Sequence, residues 1–363
     1  MISTRDGVAK NGRKLAVVFP GQGSQRIGMG RELFARFPEL TELASRLLGY
    51  SIEELCVQDR ERKLGLTQYT QPALFVVSAL SYMTWREKSG RDPDYLAGHS
   101  VGEYVALFAA GVFPFETGVK LVQKRGALMA ATGGGGMAAI IGLTPDRIES
   151  VLSARGLSEI DIANYNSHEQ SVIAGPKEAL ARARSAFAEE GGARFVELNV
   201  SAPFHSRYMA PVAAEFGKFL RAFEYSEPRV PVLSNCEVGL YERARVPELL
   251  ERQLTAPVRW RELMERLLEI DAEIEVAELG PGDVLTKLAA KARAQRRALA
   301  PSPADHREQL TSDARGLLFT GSYLIDRDAL PRFWALLENL RREVPGQPLI
   351  GTGPFAPYSF CTL

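Results

Sequence analysis

Cysteine is scarce in this chain. Three in 363 residues, Cys56, Cys236 and Cys361, stand far apart and without metal-ligand spacing, which excludes a disulfide-dense scaffold and a zinc module. Such usage suits a reducing compartment, and the cytoplasm is the expected location. Net charge is missing as well: 44 basic residues cancel 44 acidic ones, so no global field draws in nucleic acid or an anionic membrane surface. No apolar run approaches the roughly 18 residues of a membrane helix, and polar residues 1–14 hold no apolar core of signal-peptide length. A soluble protein is expected, with neither nucleic acid nor a membrane as partner. Phosphate-cradling glycine loops are lacking too: there is no G-K-[ST], and Arg26 stands where Gly21-x-Gly23 would need its third glycine. Neither a bound cofactor nor a metal is expected.

With 45% hydrophobic and 24% charged residues, the composition is that of an ordinary globular protein, long enough for one large domain or two. Its organising stretch is Leu96-Ala97-Gly98-His99-Ser100-Val101-Gly102-Glu103-Tyr104, where a strand pattern gives way to a helix pattern. A serine between two glycines at such a junction is the pattern of a nucleophile elbow. The glycines permit a sharp turn that holds Ser100 strained and exposed. The helix over 101–110 then aims its free N–H groups and positive dipole end at whatever Ser100 attacks. Taken alone, the pattern also fits a purely structural turn.

Apolar residues 14–19 read as a buried parallel strand that opens into Pro20-Gly21-Gln22-Gly23-Ser24-Gln25. Glycines on both sides of Gln22 would let a backbone N–H approach a reacting oxygen closely, as an oxyanion hole requires. Helical periodicity covers 32–48 and 71–88, the latter with Pro72 at a first-turn position. Residues 95–97 form a strand, and a helix over 115–132 carries Arg125, which by itself reads as a solvated surface charge. Gly133 to Gly136 read as a flexible joint. Beyond them come a strand at 137–143, a helix at 144–154, strands at 161–165 and 170–174, a helix at 177–190 and a strand at 194–200. That βαββαβ order is ferredoxin-like. The expected fold is α/β: a large α/β-hydrolase-like domain with a parallel sheet and the elbow (14–134 and 202–293), and an inserted ferredoxin-like small subdomain (135–201). The large domain resumes with a helix at 209–223, a strand at 230–234, a helix from Pro247 that carries Gln253, a strand at 274–279 and a helix at 284–292.

Four histidines make elimination feasible in the search for a base beside Ser100. His99 adjoins the serine in a tight turn, where neighbouring side chains diverge. His168 falls in a polar turn of the small subdomain, and His306 in polar residues 293–313, read as a linker. His205 remains, at the small subdomain's exit, where two lobes would face each other across a cleft. A packed histidine is the bland alternative. No Asp or Glu stands out as a third member, and a serine–histidine pair works without one if a carbonyl fixes the imidazole tautomer.

In order along the chain, Phe19-Pro20-Gly21-Gln22-Gly23-Ser24-Gln25, Thr70-Gln71-Pro72-Ala73, Gly98-His99-Ser100-Val101-Gly102-Glu103, Arg125-Gly126, Asn164 to Gln170, Phe204-His205-Ser206 and Gly280-Pro281-Gly282 resemble the malonyl-CoA:acyl carrier protein transacylases. The resemblance spans about residues 14–293. It is strongest to the discrete acyltransferases that serve polyketide synthases lacking their own acyltransferase domains. It implies Ser100 as nucleophile, His205 as general base, the backbone N–H groups of Gln22 and Val101 as oxyanion hole, and the carbonyl of Gln253 as the group orienting His205. It also implies that Arg125 grips the free carboxylate of malonyl, a task suited to a guanidinium, which offers two parallel donors and keeps its charge when desolvated. Phe204 would narrow the pocket beside the malonyl α-carbon, and Gln71, His99, Asn164 and Gln170 match polar positions of the cleft. The implied substrate is malonyl-CoA, and the implied partner is an acyl carrier protein or the carrier domains of a polyketide synthase.

Three other readings compete. An editing acyl hydrolase on the same scaffold would let water replace the thiol and has no use for Arg125. A patatin-like lipase pairs its serine with an aspartate, and a catalytically idle docking protein needs none of Ser100, His205, Gln22 and Arg125. Residues 294–363 lie outside the resemblance. They read as a linker and a C-terminal extension of open role, with an amphipathic helix at 330–340 that places Phe333, Trp334, Leu337 and Leu340 on one side.

Overall fold

The computed structural model describes residues 13–200, 202–299, 306–313 and 316–323. The chain divides into two compact units, Met1–Ala292 and Arg293–Leu363. The first begins with β1 (Leu15–Phe19), buried at every position, as a strand covered on both faces must be. Helices α1 (Arg31–Arg36), α2 (Pro38–Leu48), α3 (Ile52–Val57) and α4 (Thr67–Ser89) follow. Periodicity suggested one helix over 32–48, but Pro38 has no N–H to continue α1 and instead opens α2. Helix α4 starts four residues before the predicted Gln71, so Pro72 lies inside it and removes one intrahelical bond.

Next come β2 (Tyr95–Gly98), α5 (Gly102–Ala109) and α6 (Phe115–Ala131). They lead into β3 (Gly135–Ile141), α7 (Pro145–Ala154), β4 (Asp161–Ser167), β5 (Gln170–Pro176), α8 (Lys177–Ala188) and β6 (Arg194–Glu197). These last four strands make an antiparallel sheet of order β4-β5-β3-β6. Its core holds Ala138, Ile140, Ile148, Ile173 and Phe187. Thr144 caps α7 by accepting the Arg147 N–H, with Pro145 at the first helical position. The glycine run is not a joint throughout. Gly135 and Gly136 already belong to β3, because the ladder to β5 extends to Gly175 and Pro176.

The chain then forms α9 (Ala210–Leu220), α10 (Val246–Arg252), α11 (Trp260–Ile270), β7 (Glu275–Glu278) and α12 (Val284–Leu299). Strands β2, β1 and β7 form a parallel sheet in that order, with the elbow at the carboxyl end of β2. Residues 230–234 were expected as a strand but make only isolated bridges, Val232 to Leu96 and Leu233 to Leu240. Pro231 can accept from the Leu96 N–H but has no N–H of its own to extend a ladder. Val258 fastens the antiparallel sheet to the rest of the unit: Tyr165 N–H donates to its carbonyl, and its N–H to that of Ala163, each at 2.9 Å.

The expected linker is overturned where it is described. α12 runs on to Leu299, and β8 (His306–Asp313) pairs antiparallel with β9 (Gly316–Tyr323), so His306 opens a strand. Polar composition does not preclude a strand once an apolar partner such as 316–320 lies alongside it. The helix expected at 330–340 lies outside the described residues. Among those residues, no helix is long and apolar enough to cross a membrane.

Candidate active site

Ser100 occupies the left-handed region, φ 53°, at the turn between β2 and α5. The glycines around it answer a packing demand. A Cβ on Gly98 would strike the Gly102 carbonyl, and one on Gly102 the carbonyl oxygen of Phe19. Left-handed backbone at a serine costs about 1–3 kcal/mol, so neighbouring groups must hold it there. Asn235 does so: its Oδ1 accepts the Ser100 N–H at 2.7 Å, and its Nδ2 donates to the Gly98 carbonyl at 2.6 Å.

His205, also left-handed at φ 57°, comes from the segment that returns from β6. Its Nε2 lies 2.7 Å from Ser100 Oγ, and its Nδ1 lies 2.8 Å from the main-chain oxygen of Gln253. A carbonyl only accepts, so Nδ1 carries the proton and Nε2 offers its lone pair to the serine hydroxyl. Burial, reinforced by the nearby Arg125 charge, pushes the imidazole from its ordinary 6.5 down to about 3. The resting ring is neutral, the form a base requires.

Arg125 is not a solvated charge. It projects from α6 and is 1% exposed, because α6 lies against α4. Nη1 donates to Gln71 Oε1 at 2.7 Å; Nη2 donates to Gln253 Oε1 at 2.9 Å and to Ser100 Oγ at 3.2 Å. The guanidinium stands 5.4 Å from the centre of the Tyr104 ring. Its Nε has no partner, and no carboxylate pairs with it among the described residues. A buried cation with only neutral acceptors is costly unless something anionic arrives.

Two backbone N–H groups, those of Gln22 and Val101, donate to no acceptor among the described residues. Val101 leads into α5. Gln22 belongs to the loop after β1, which packs on the elbow so tightly that a Cβ on Gly21 would come within 2.6 Å of the His99 carbonyl oxygen. The Gln22 side chain is tied to Thr67 Oγ1 at 3.2 Å. Free donors beside a nucleophile are what a developing oxyanion needs.

Ser100, His205, Arg125, Gln71 and Gln253 thus form one bonded network, with Phe204 buried next to His205. His99 turns to Asn166 Oδ1, 2.9 Å from its Nε2, and lies 5.6 Å from the Trp260 ring. Asn164 is buried on β4 beside Val258, and Gln170 starts β5 opposite Ser167. Among the described residues, no hydrogen bond links either of them to Ser100, His205 or Arg125. Glu103, Asn235, Tyr241 and Asn166 were not singled out in the sequence. Glu103 stands one turn beyond the serine, a spacing that could have flagged it, while the other three carry no local signal. No group of three or more His, Cys, Asp or Glu side chains that could hold a metal occurs among the described residues.

Residues 16–311 match the family model described as the acyl transferase domain. The chain is 48% identical over 277 residues to the polyketide biosynthesis malonyl CoA-acyl carrier protein transacylase BaeC of Bacillus velezensis, covering 76% of this chain and 95% of that one. To the polyketide biosynthesis protein PksE of Bacillus subtilis it is 46% identical over 275 residues, 76% of this chain, but it spans only 36% of that protein's length. A crystal structure of a malonyl CoA-acyl carrier protein transacylase from Burkholderia pseudomallei superimposes with a TM-score of 0.76 at 48% identity, covering 78% of this chain and 99% of that one.

Proposed function

Since the chain belongs to the acyl transferase domain family, we propose that it moves malonyl from malonyl-CoA to the phosphopantetheine thiol of an acyl carrier protein, through an ester on Ser100, in polyketide biosynthesis. One observation carries the reading: the buried guanidinium of Arg125, with no carboxylate partner among the described residues, sits 3.2 Å from Ser100 Oγ. An acyl group on that oxygen which ends in its own carboxylate would supply the missing anion, and two parallel N–H donors match it. Acetyl would leave the cation uncompensated.

In the first half-reaction His205 Nε2 takes the Ser100 proton while Oγ attacks the thioester carbonyl. The oxyanion meets the Gln22 and Val101 N–H groups, each such donor worth about 2.7–4 kcal/mol. The tetrahedral adduct expels CoA thiolate, which receives the proton from His205. The incoming thiol then gives its proton to His205 and attacks the ester, and Ser100 recovers the proton as malonyl leaves on the new sulfur. Gln253 keeps Nδ1 protonated throughout. The strand order β4-β5-β3-β6 with α7 and α8 supports reading that lobe as ferredoxin-like, and the parallel sheet with its elbow supports an α/β-hydrolase-like larger lobe.

Intact-protein mass spectrometry after exposure to a panel of acyl-CoAs tests the assignment. The expected result is a stable malonyl adduct on Ser100, discharged by a phosphopantetheinylated carrier protein. An adduct that water removes as fast with the carrier as without it points to hydrolysis. No malonyl adduct at all overturns the proposal.

A further inference from the structure

The buried amide of Gln253 has only one workable orientation. Its Oε1 accepts from Arg125 Nη2 at 2.9 Å, while its Nε2 donates to the Ser100 carbonyl at 3.0 Å and to Glu103 Oε2. Turned end for end, the amide would set NH2 against a guanidinium that can only donate, and oxygen against groups that can only accept. Glu103 is itself held firmly. It lies on α5, fully buried, and its Oε1 takes the Asn235 N–H and the Tyr241 hydroxyl, both at 2.9 Å. The same Asn235 holds the elbow. Glu103 is bonded to neither Ser100 Oγ nor His205, and no step of the acyl transfer uses it.

We propose that Glu103 is the positioning residue for malonyl selectivity: by accepting from Gln253 Nε2 it turns Gln253 Oε1 towards Arg125, and so aims the guanidinium at the acyl carboxylate. The inference rests on the malonyl reading above. Glu103 also places its negative charge one amide away from Arg125 instead of in direct contact. The cation is thereby held without being neutralised, and it remains able to pair with a diacid.

The test compares kcat/KM for malonyl-CoA and acetyl-CoA in the full chain and in Glu103→Gln. With the oxygen of the new amide kept by the fixed Asn235 N–H and the Tyr241 hydroxyl, its NH2 confronts that of Gln253, and relief by turning Gln253 over misdirects Arg125. The malonyl-to-acetyl ratio should fall on the order of 10-fold, the loss expected of one misaimed bond to a charged group. A merely structural Glu103 would lower both rates together and leave the ratio unchanged. A wild-type enzyme with no preference for malonyl overturns both readings, whereas a preference that survives in a folded Glu103→Gln overturns only this one.

A second measurement needs no substitution. Burial raises the Glu103 carboxyl from 4.5 to about 7, and protonation makes it a donor. The wild-type ratio should therefore decline as the pH drops through that value. The groups around Glu103 do not titrate there: burial pushes Tyr104, Tyr241 and Cys236 up and His205 and His99 down, and Arg125 stays charged. The CoA phosphates are common to both substrates. A ratio that rises as the carboxyl is protonated refutes the role of Glu103.

Discussion

Replacing Arg125 with alanine is the sharpest test of how this site chooses its acyl group. In the wild type the guanidinium makes three hydrogen bonds, to Gln71, Gln253 and Ser100, and is 1% exposed. Removing one member of a buried, hydrogen-bonded charge pair costs about 2–5 kcal/mol, or roughly 30- to 5,000-fold in kcat/KM for malonyl-CoA. Ser100 is only half-buried, so water can replace part of the lost pairing, and the lower part of that range applies, about 100-fold. Acetyl-CoA behaves differently. It never paired with Arg125, and the cation is the second cause, after burial, of the depressed basicity of His205. With Arg125 gone His205 becomes the stronger base, so acetyl transfer should hold or rise a few-fold. The substitution also strands two amide oxygens, Gln71 Oε1 and Gln253 Oε1, at about 1–3 kcal/mol each, so the variant should melt earlier and must be assayed below its transition. The measurement is acyl-enzyme formation by intact-protein mass spectrometry alongside kcat/KM for both thioesters. Equal losses for malonyl and acetyl would remove Arg125 from any part in selectivity.

Four further outcomes are expected. Ser100→Ala should carry no acyl adduct from any thioester, and an adduct in that variant would locate the nucleophile elsewhere. Asn235→Ala strips the Ser100 N–H of its acceptor and should slow malonyl and acetyl transfer alike by about 10-fold or more, in contrast to the selective effect at Arg125. Because His205 is held at about 3, acyl-enzyme formation from acetyl-CoA should show no acidic limb near 6.5; a limb there would mean that the imidazole titrates as if exposed. The same shift means the unfolded chain binds a proton that the folded one refuses. The His205 contribution to stability is therefore complete above 6.5 and is lost as the pH falls towards 3. Glu103, raised to about 7, has the opposite sign: its contribution is present below 4.5 and lost as the pH rises through 7. Between 4.5 and 6.5 the two oppose each other, so urea midpoints in that window should climb more steeply with pH in Glu103→Gln than in the wild type.

The sequence by itself determined the local parts of this protein. Gly98 and Gly102 announced the elbow, the unbroken apolar run before Pro20 announced a covered strand, and Thr144-Pro145 announced the start of α7. Each is a signal confined to a few residues, where backbone sterics, capping or periodicity decides the conformation. The scarcity of histidine narrowed the choice of base without placing it. Only the tertiary structure decided what surrounds Ser100: an asparagine 135 positions later that holds its N–H, a histidine 105 positions later that accepts a hydrogen bond from its hydroxyl, and a glutamine 153 positions later that donates to its carbonyl. It also buried a mid-helix arginine that the local pattern, taken alone, read as a solvated charge. Such pairings have no period and no neighbouring residue to betray them, because burial and hydrogen-bond partnership follow from how distant segments pack around one another.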